Sequence, residues 1–255
     1  QLILRPTLHH RYQNSKNSIL AHNRNVVMQR AGSLYLPFAH ERTSASMYPA
    51  AVIFDFDGVI VDTEPIHYQA FQKILEPRGM GYTWQEYTDK YMGFDDSPEG
   101  SQDILQLLIK QKAAIFEEVI TQGVTPYQGV IELIQELVDH GIPLAISSGA
   151  LRSDIIPILE QLKIKDNFTH IVTADDVPQS KPNPASYIGA KEKLLCSYPH
   201  KLDSNSIIYA IEDTPAGIQS AKGAGLIVIA VSNSYPASKL QQADSIVHSL
   251  SQLSG

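Results

Sequence analysis

The chain has 255 residues, 43% of them hydrophobic and 18% charged, with a formal net charge of −7 and a single cysteine, Cys196. That length supports a sizeable core without help from a disulfide or a structural metal. The lone cysteine excludes an internal disulfide and a Cys-rich zinc site, and the acidic balance argues against a nucleic-acid-binding protein.

Residues 1–46 are basic: Arg5, Arg11, Lys16, Arg24, Arg30 and Arg42 stand against Glu41 alone. The segment shows no sustained hydrophobic period. It is read as a basic N-terminal extension, with an organellar transit peptide as the alternative. From Ala50 the pattern changes. Ala50–Phe56 is a continuous apolar run, expected of a strand buried on both faces. Further strands are expected at Ile142–Ser147, Thr169–Thr173, Ser206–Ile211, Leu226–Val231 and, weakly, Ser245–Val247. Helical patterns lie between them: Val130–His140 with Gly141 as its stop, Leu151–Leu162, Pro184–Leu195 and Pro215–Gly223. Such alternation predicts an α/β fold, a parallel sheet with helices on both faces. No apolar run approaches the roughly 20 residues that a membrane-spanning helix needs. The expected location is the cytoplasm, or an organelle if residues 1–46 are a transit peptide, and a monomer is the default expectation.

The stretch 65–125 breaks the alternation. Ile66–Glu76, Trp84–Tyr91 and Asp103–Glu118 read as helices with no strand between them. The expected organisation is therefore a core formed by 47–64 and 126–255, with 65–125 inserted as a helical segment after the first strand. Trp84, Tyr87 and Tyr91 recur at helical spacing and read as the packed side of that insertion.

Open parallel sheets bind ligands beyond the carboxyl ends of their strands. Here those ends carry Asp55-Phe56-Asp57-Gly58, Ser147-Ser148-Gly149 and Glu212-Asp213, while Lys181 follows the third strand. Clustered carboxylates repel unless a hard cation neutralises them, and Mg²⁺ prefers oxygen ligands. An ammonium and a hydroxyl beside them suit a phosphate, and Gly149 allows close backbone approach. One carboxylate can accept a phosphoryl group, and a second can protonate the leaving oxygen.

The run Asp55-Phe56-Asp57-Gly58-Val59-Ile60-Val61-Asp62-Thr63-Glu64 resembles motif one of the haloacid dehalogenase superfamily. Ser147, Lys181 and Glu212-Asp213 are similar to its motifs two, three and four, in the same order. Glu212-Asp213-Thr214-Pro215-Ala216-Gly217-Ile218 resembles the subgroup that contains β-phosphoglucomutase and small-metabolite phosphatases. The resemblance implies a Rossmann-like core with a mobile helical cap at 65–125. It implies Asp55 as nucleophile and Mg²⁺ ligand, and Asp57 as general acid/base with its carbonyl on the metal. Asp213 would be a further ligand, with Glu212 beside it as ligand or support. Ser147 and Lys181 would hold the phosphoryl group. Dehalogenases of the superfamily lack the second aspartate, so Asp57 argues against dehalogenation.

The expected activity is Mg²⁺-dependent hydrolysis of a small phosphorylated metabolite, sugar-phosphate-like, through a phospho-aspartate. A sugar phosphomutase of the β-phosphoglucomutase type is the alternative. Ser148, Gly149, Arg152, His67 and Gly93 are further candidate substrate contacts. His67 matches a histidine near the mutase hinge. Against the mutase, Asp95 and Asp96 follow Gly93 where the mutase cap carries an arginine. Asp62 reads as a hinge or cap hydrogen-bonding residue. The Ser232–Tyr235 loop lies at a strand end, but no chemistry is assigned to it.

Overall fold

The computed structural model describes residues 48–79, 81, 83, 85–86, 115, 118, 120 and 123–254, without the side chains of Glu64, His67 and Arg78. The expected extension over 1–46 and the turn at Gly93–Ser97 lie outside the described residues. Six strands form one sheet: β1 (Ala51–Phe54), β2 (Leu144–Ser147), β3 (His170–Val172), β4 (Ile208–Glu212), β5 (Ile227–Val231) and β6 (Ser245–Val247). Their order is β3-β2-β1-β4-β5-β6, and every pairing is parallel. The strand order reverses beside β1, between β2 and β4. That is where an open α/β sheet leaves a crevice at its carboxyl edge.

Five helices are described: α1 (Glu64–Leu75), α2 (Val130–Asp139), α3 (Arg152–Gln161), α4 (Ala185–Ser197) and α5 (Pro215–Gly223). On one face of the sheet, Val52, Phe54, Leu144, Ile146 and Ile211 pack against Leu133, Ile134 and Leu137 of α2 and Ile155, Ile158 and Leu159 of α3. On the other, Ala51, Ile53, Ala145 and Ala210 pack against Tyr187, Ala190 and Leu194 of α4 and Ile218 and Ala221 of α5. Both faces are covered, so the inner strands β1, β2, β4 and β5 read as short apolar runs.

The elements agree with the sequence pattern in kind and differ at their ends. The first strand stops at Phe54, not Phe56, because Phe56–Val61 folds into a turn with Gly58 N–H on the Val61 carbonyl (2.9 Å) and Ile60 N–H on the Phe56 carbonyl (2.8 Å). The fourth strand runs one residue further than expected, so Glu212 is its last member. Helix α1 begins at Glu64, with Pro65 in its first turn. The described positions 85, 86, 115, 118 and 120 are helical, in keeping with a helical insertion. Among the described residues no helix is long and apolar enough to cross a membrane.

Candidate active site

The carboxyl edge gathers its polar residues from four chain segments. Asp55 follows β1, Ser147 ends β2, Glu212 ends β4 and Asp213 follows it; Lys181 arrives from the β3–α4 connection, before a cis Lys181–Pro182 peptide. The Lys181 ammonium lies 2.8 Å from Asp55 Oδ1 and 2.7 Å from Glu212 Oε1, and donates to the Ser147 carbonyl at 3.1 Å. One carboxylate oxygen from each of Asp55, Glu212 and Asp213 lies within 4.8 Å of the other two. All three carboxylates are buried.

Such crowding shifts their acidity. Burial, reinforced by Glu212, pushes the Asp55 carboxyl up to about 8, and Lys181 opposes the rise. Burial, with Asp55 and Glu212 adding to it, raises Asp213 well above the carboxylate range. Burial works against the Lys181 ammonium, yet the Asp55 and Glu212 carboxylates outweigh it and hold that pKa above its ordinary value. A lysine so placed stays charged throughout the neutral range.

Two polar atoms of the cluster have no hydrogen-bond partner among the described residues: Asp213 Oδ1 and Ser147 Oγ, both buried. An unpartnered buried oxygen is costly, and the pair points to ligands of opposite kind. A carboxylate oxygen beside two other acids fits a hard cation such as Mg²⁺. A hydroxyl beside an ammonium fits an anion.

Other contacts fix the surroundings. Glu212 Oε2 accepts the Asp213 and Thr214 amides (3.1 and 3.4 Å) and the Thr214 hydroxyl (3.3 Å). A Cβ at Gly217 would stand 2.0 Å from that carboxylate, so only glycine lets the first turn of α5 close on Glu212. Gly58 has φ +75°, and a Cβ there would stand 1.8 Å from Asp213 Oδ2. The buried Thr63 hydroxyl donates to Asp57 Oδ1, which fixes the half-buried Asp57 side chain beside the hinge into α1. Asn233 Nδ2 donates to the Gly58 carbonyl at 2.7 Å, and the Ser234 hydroxyl hydrogen-bonds Asp213.

Asp55, Ser147, Lys181, Glu212 and Asp213 are thus brought together, with Asp57 on the adjoining turn. Other expected contacts are placed differently. The Ser148 amide is occupied by the Val172 carbonyl (2.9 Å), and its hydroxyl accepts the Ala150 amide (3.0 Å), so Ser148 braces the loop. Gly149 has open space around its Cβ position, which leaves room for a ligand. Arg152 is not drawn into the cluster. Its guanidinium is held by Asp176 (2.6 Å) and the Ile171 carbonyl (2.9 Å), and its backbone N–H donates to Asp175 (2.7 Å), so the acids at the exit of β3 engage it instead. Gly93 lies outside the described residues, as does the His67 side chain.

The sequence reading missed Thr63, Tyr187, Asn233 and Ser234. Tyr187 reads only as an apolar-face aromatic. The Ser232–Tyr235 loop stood out by its place at a strand end, but its partners lie far away in the chain.

The arrangement has relatives. Residues 52–231 match the family model of haloacid dehalogenase-like hydrolases. The phosphorylated carbohydrates phosphatase of Thermotoga maritima is 29% identical over 189 residues, which cover 69% of this chain and 82% of that protein. The fructose-1-phosphate phosphatase YqaB of Escherichia coli is 27% identical over 194 residues, covering 71% and 96%. CbbY from Rhodobacter sphaeroides, solved in complex with phosphate, shares the fold with a TM-score of 0.70 at 22% identity, over 81% of this chain and 96% of that one. Because that family match spans well over half of the sequence, the chain belongs to the haloacid dehalogenase-like hydrolases.

Proposed function

We propose that the chain is a Mg²⁺-dependent phosphatase that hydrolyses small phosphorylated metabolites, of sugar-phosphate type, through a phospho-Asp55 intermediate. One observation carries this reading. Asp55, backed by Lys181, sits beside an unpartnered carboxylate oxygen of Asp213 and an unpartnered hydroxyl of Ser147. Relatives at 27–29% identity named as phosphatases of phosphorylated carbohydrates and of fructose 1-phosphate support the substrate class.

Asp55, Asp213 and the Asp57 carbonyl would hold Mg²⁺, with Glu212 as neighbour and anchor. When bound, the cation offsets carboxylate repulsion, keeps Asp55 ionised and screens the charge of the phosphoryl group. Lys181 and Ser147 orient the phosphoryl oxygens. A carboxylate oxygen of Asp55 attacks phosphorus, the bond to the leaving oxygen breaks, and Asp57 gives that oxygen its proton. Asp57 then takes a proton from water as the water attacks phospho-Asp55. The acyl phosphate bond breaks at phosphorus, and Asp55 and inorganic phosphate are released. Thr63 holds Asp57 for both transfers. Residues 65–125, with His67 and Gly93, are inferred to close over the substrate, exclude water and select among esters.

The test is phosphate release from a panel of phosphorylated metabolites with Mg²⁺, wild type beside Asp55→Asn. Wild type should turn over a few of them, and Asp55→Asn should lose at least about 10³-fold of that rate. No release by wild type from any ester overturns the reading. Turnover that requires a bisphosphate primer replaces it with the mutase.

A further inference from the structure

Tyr187 has no part in the reaction outlined above, yet it touches both halves of the site's central ion pair. It is a large side chain with 0% exposure, held on the first turn of α4. Its hydroxyl donates to Glu212 Oε1 at 2.8 Å. Its ring lies under the Lys181 ammonium, 4.9 Å from nitrogen to centroid. The same Glu212 oxygen accepts Lys181 at 2.7 Å, and Lys181 reaches Asp55 at 2.8 Å on its other side.

The consequence lies in how one ammonium is shared between two buried carboxylates. Glu212 is fully enclosed, so water cannot complete its hydrogen bonds. Its Oε2 is supplied by Asp213 and Thr214, and its Oε1 by Lys181 and Tyr187. Without the phenol, Lys181 would be the remaining donor shown on Oε1, and the uncovered charge would draw the ammonium toward Glu212 and away from Asp55. The ring limits the opposite excursion, because a cation above an aromatic face gains by staying there. A residue that merely filled the core would need the ring and not the hydroxyl.

We propose that Tyr187 is a positioning residue that sets how Lys181 is divided between Glu212 and Asp55, and therefore where the ammonium meets the phosphoryl group. The inference rests on the phosphatase reading for the identity of that ligand. It assigns to the α4 tyrosine a role in phosphate affinity exerted through Glu212.

Tyr187→Phe removes one oxygen and keeps the ring. Binding of inorganic phosphate is measured by calorimetry with Mg²⁺ present, alongside kcat and melting temperature. The variant should bind phosphate about tenfold more weakly and lose about tenfold in kcat, the size expected for one hydrogen bond to a buried charge. In a Glu212→Gln background the same substitution should cost less than about twofold in phosphate affinity, because its route of action is already altered. A tenfold cost undiminished in that background overturns the proposal. So does a variant that melts lower but binds phosphate and turns over like wild type. A wild type that neither binds phosphate nor releases it overturns the phosphatase reading together with this one, which separates the two failures.

Discussion

Gly58 shows how little freedom the site leaves at one residue. Its backbone has φ +75°, and the Cβ of any other residue would overlap Asp213 Oδ2 and crowd Ser234 Oγ, 2.7 Å away. Gly58→Ala therefore incurs a left-handed backbone cost of about 1–2 kcal/mol and also displaces a carboxylate that would hold the cation. The expected result is a lower melting temperature together with Mg²⁺ affinity reduced by about tenfold or more, read by titration of the purified protein. Unchanged Mg²⁺ affinity in a folded variant would show that Asp213 does not depend on this contact. Gly149→Ala is the contrast, since a methyl group there meets nothing within 4 Å and should leave the melting temperature unaltered. Asp55, Asp57 and Asp213 were legible in the sequence because charged residues at or just past the ends of apolar strands are costly to bury without a purpose, and Lys181 because it follows the third strand in the order of the motifs it resembles. Thr63 and Tyr187 were not. A threonine before a helix and an aromatic on an apolar face are ordinary residues until their partners, Asp57 and Glu212, are placed beside them.

At the scale of elements, the strands and the helices α2 to α5 could be read directly from periodicity and from proline and glycine punctuation. The sheet is covered on both faces, so β1, β2, β4 and β5 appear as short apolar runs, and α2 shows its buried Val130, Leu133, Ile134 and Leu137 at helical spacing. The ends of the elements were less legible, because turn hydrogen bonds such as Gly58 N–H to Val61 take over where apolar residues continue. The loop after β5 was illegible for a different reason. Its Asn233 meets Gly58 across 175 positions of sequence, a separation that no local pattern reports. That loop joins the turn carrying Asp57 to the Asp213 carboxylate through Asn233 and Ser234. Asn233→Ala leaves the Gly58 carbonyl without its side-chain donor and loosens the turn that aims Asp57. It should lower kcat by about tenfold while KM changes by less than about twofold, since ground-state binding through Lys181 is untouched. A matching rise in KM with kcat unchanged would place the loop in substrate binding instead. Asn233→Asp should not rescue, because a carboxylate cannot donate to a carbonyl.

Across the whole molecule, the site places its own acids in conflict with the stability of the fold. Asp55 has an ordinary value of 3.8 and is pushed up to about 8 by burial and by Glu212, and Asp213 is shifted in the same direction. A group whose folded pKa is raised above its unfolded one binds more protons when folded. Its contribution to stability is therefore largest at low pH, and it is lost as pH rises from about 4 to about 8. Lys181 stays protonated across that window and adds no slope of its own. The metal-free protein should then lose melting temperature between pH 5 and pH 8 relative to Asp55→Asn, which cannot carry this charge. Added Mg²⁺ should reverse the trend, because a cation stabilises the ionised carboxylates and binds the folded form alone. Binding displaces protons from the same groups, so Mg²⁺ affinity should rise with pH over the same window. Thermal melts of both proteins at three pH values, with chelator and with Mg²⁺, read all of these quantities. A wild-type curve that stays parallel to that of Asp55→Asn at every pH would show that Asp55 is not held against its ionisation. Lys181, 2.8 Å away, would then offset the burial of Asp55 and its repulsion by Glu212 without a cation.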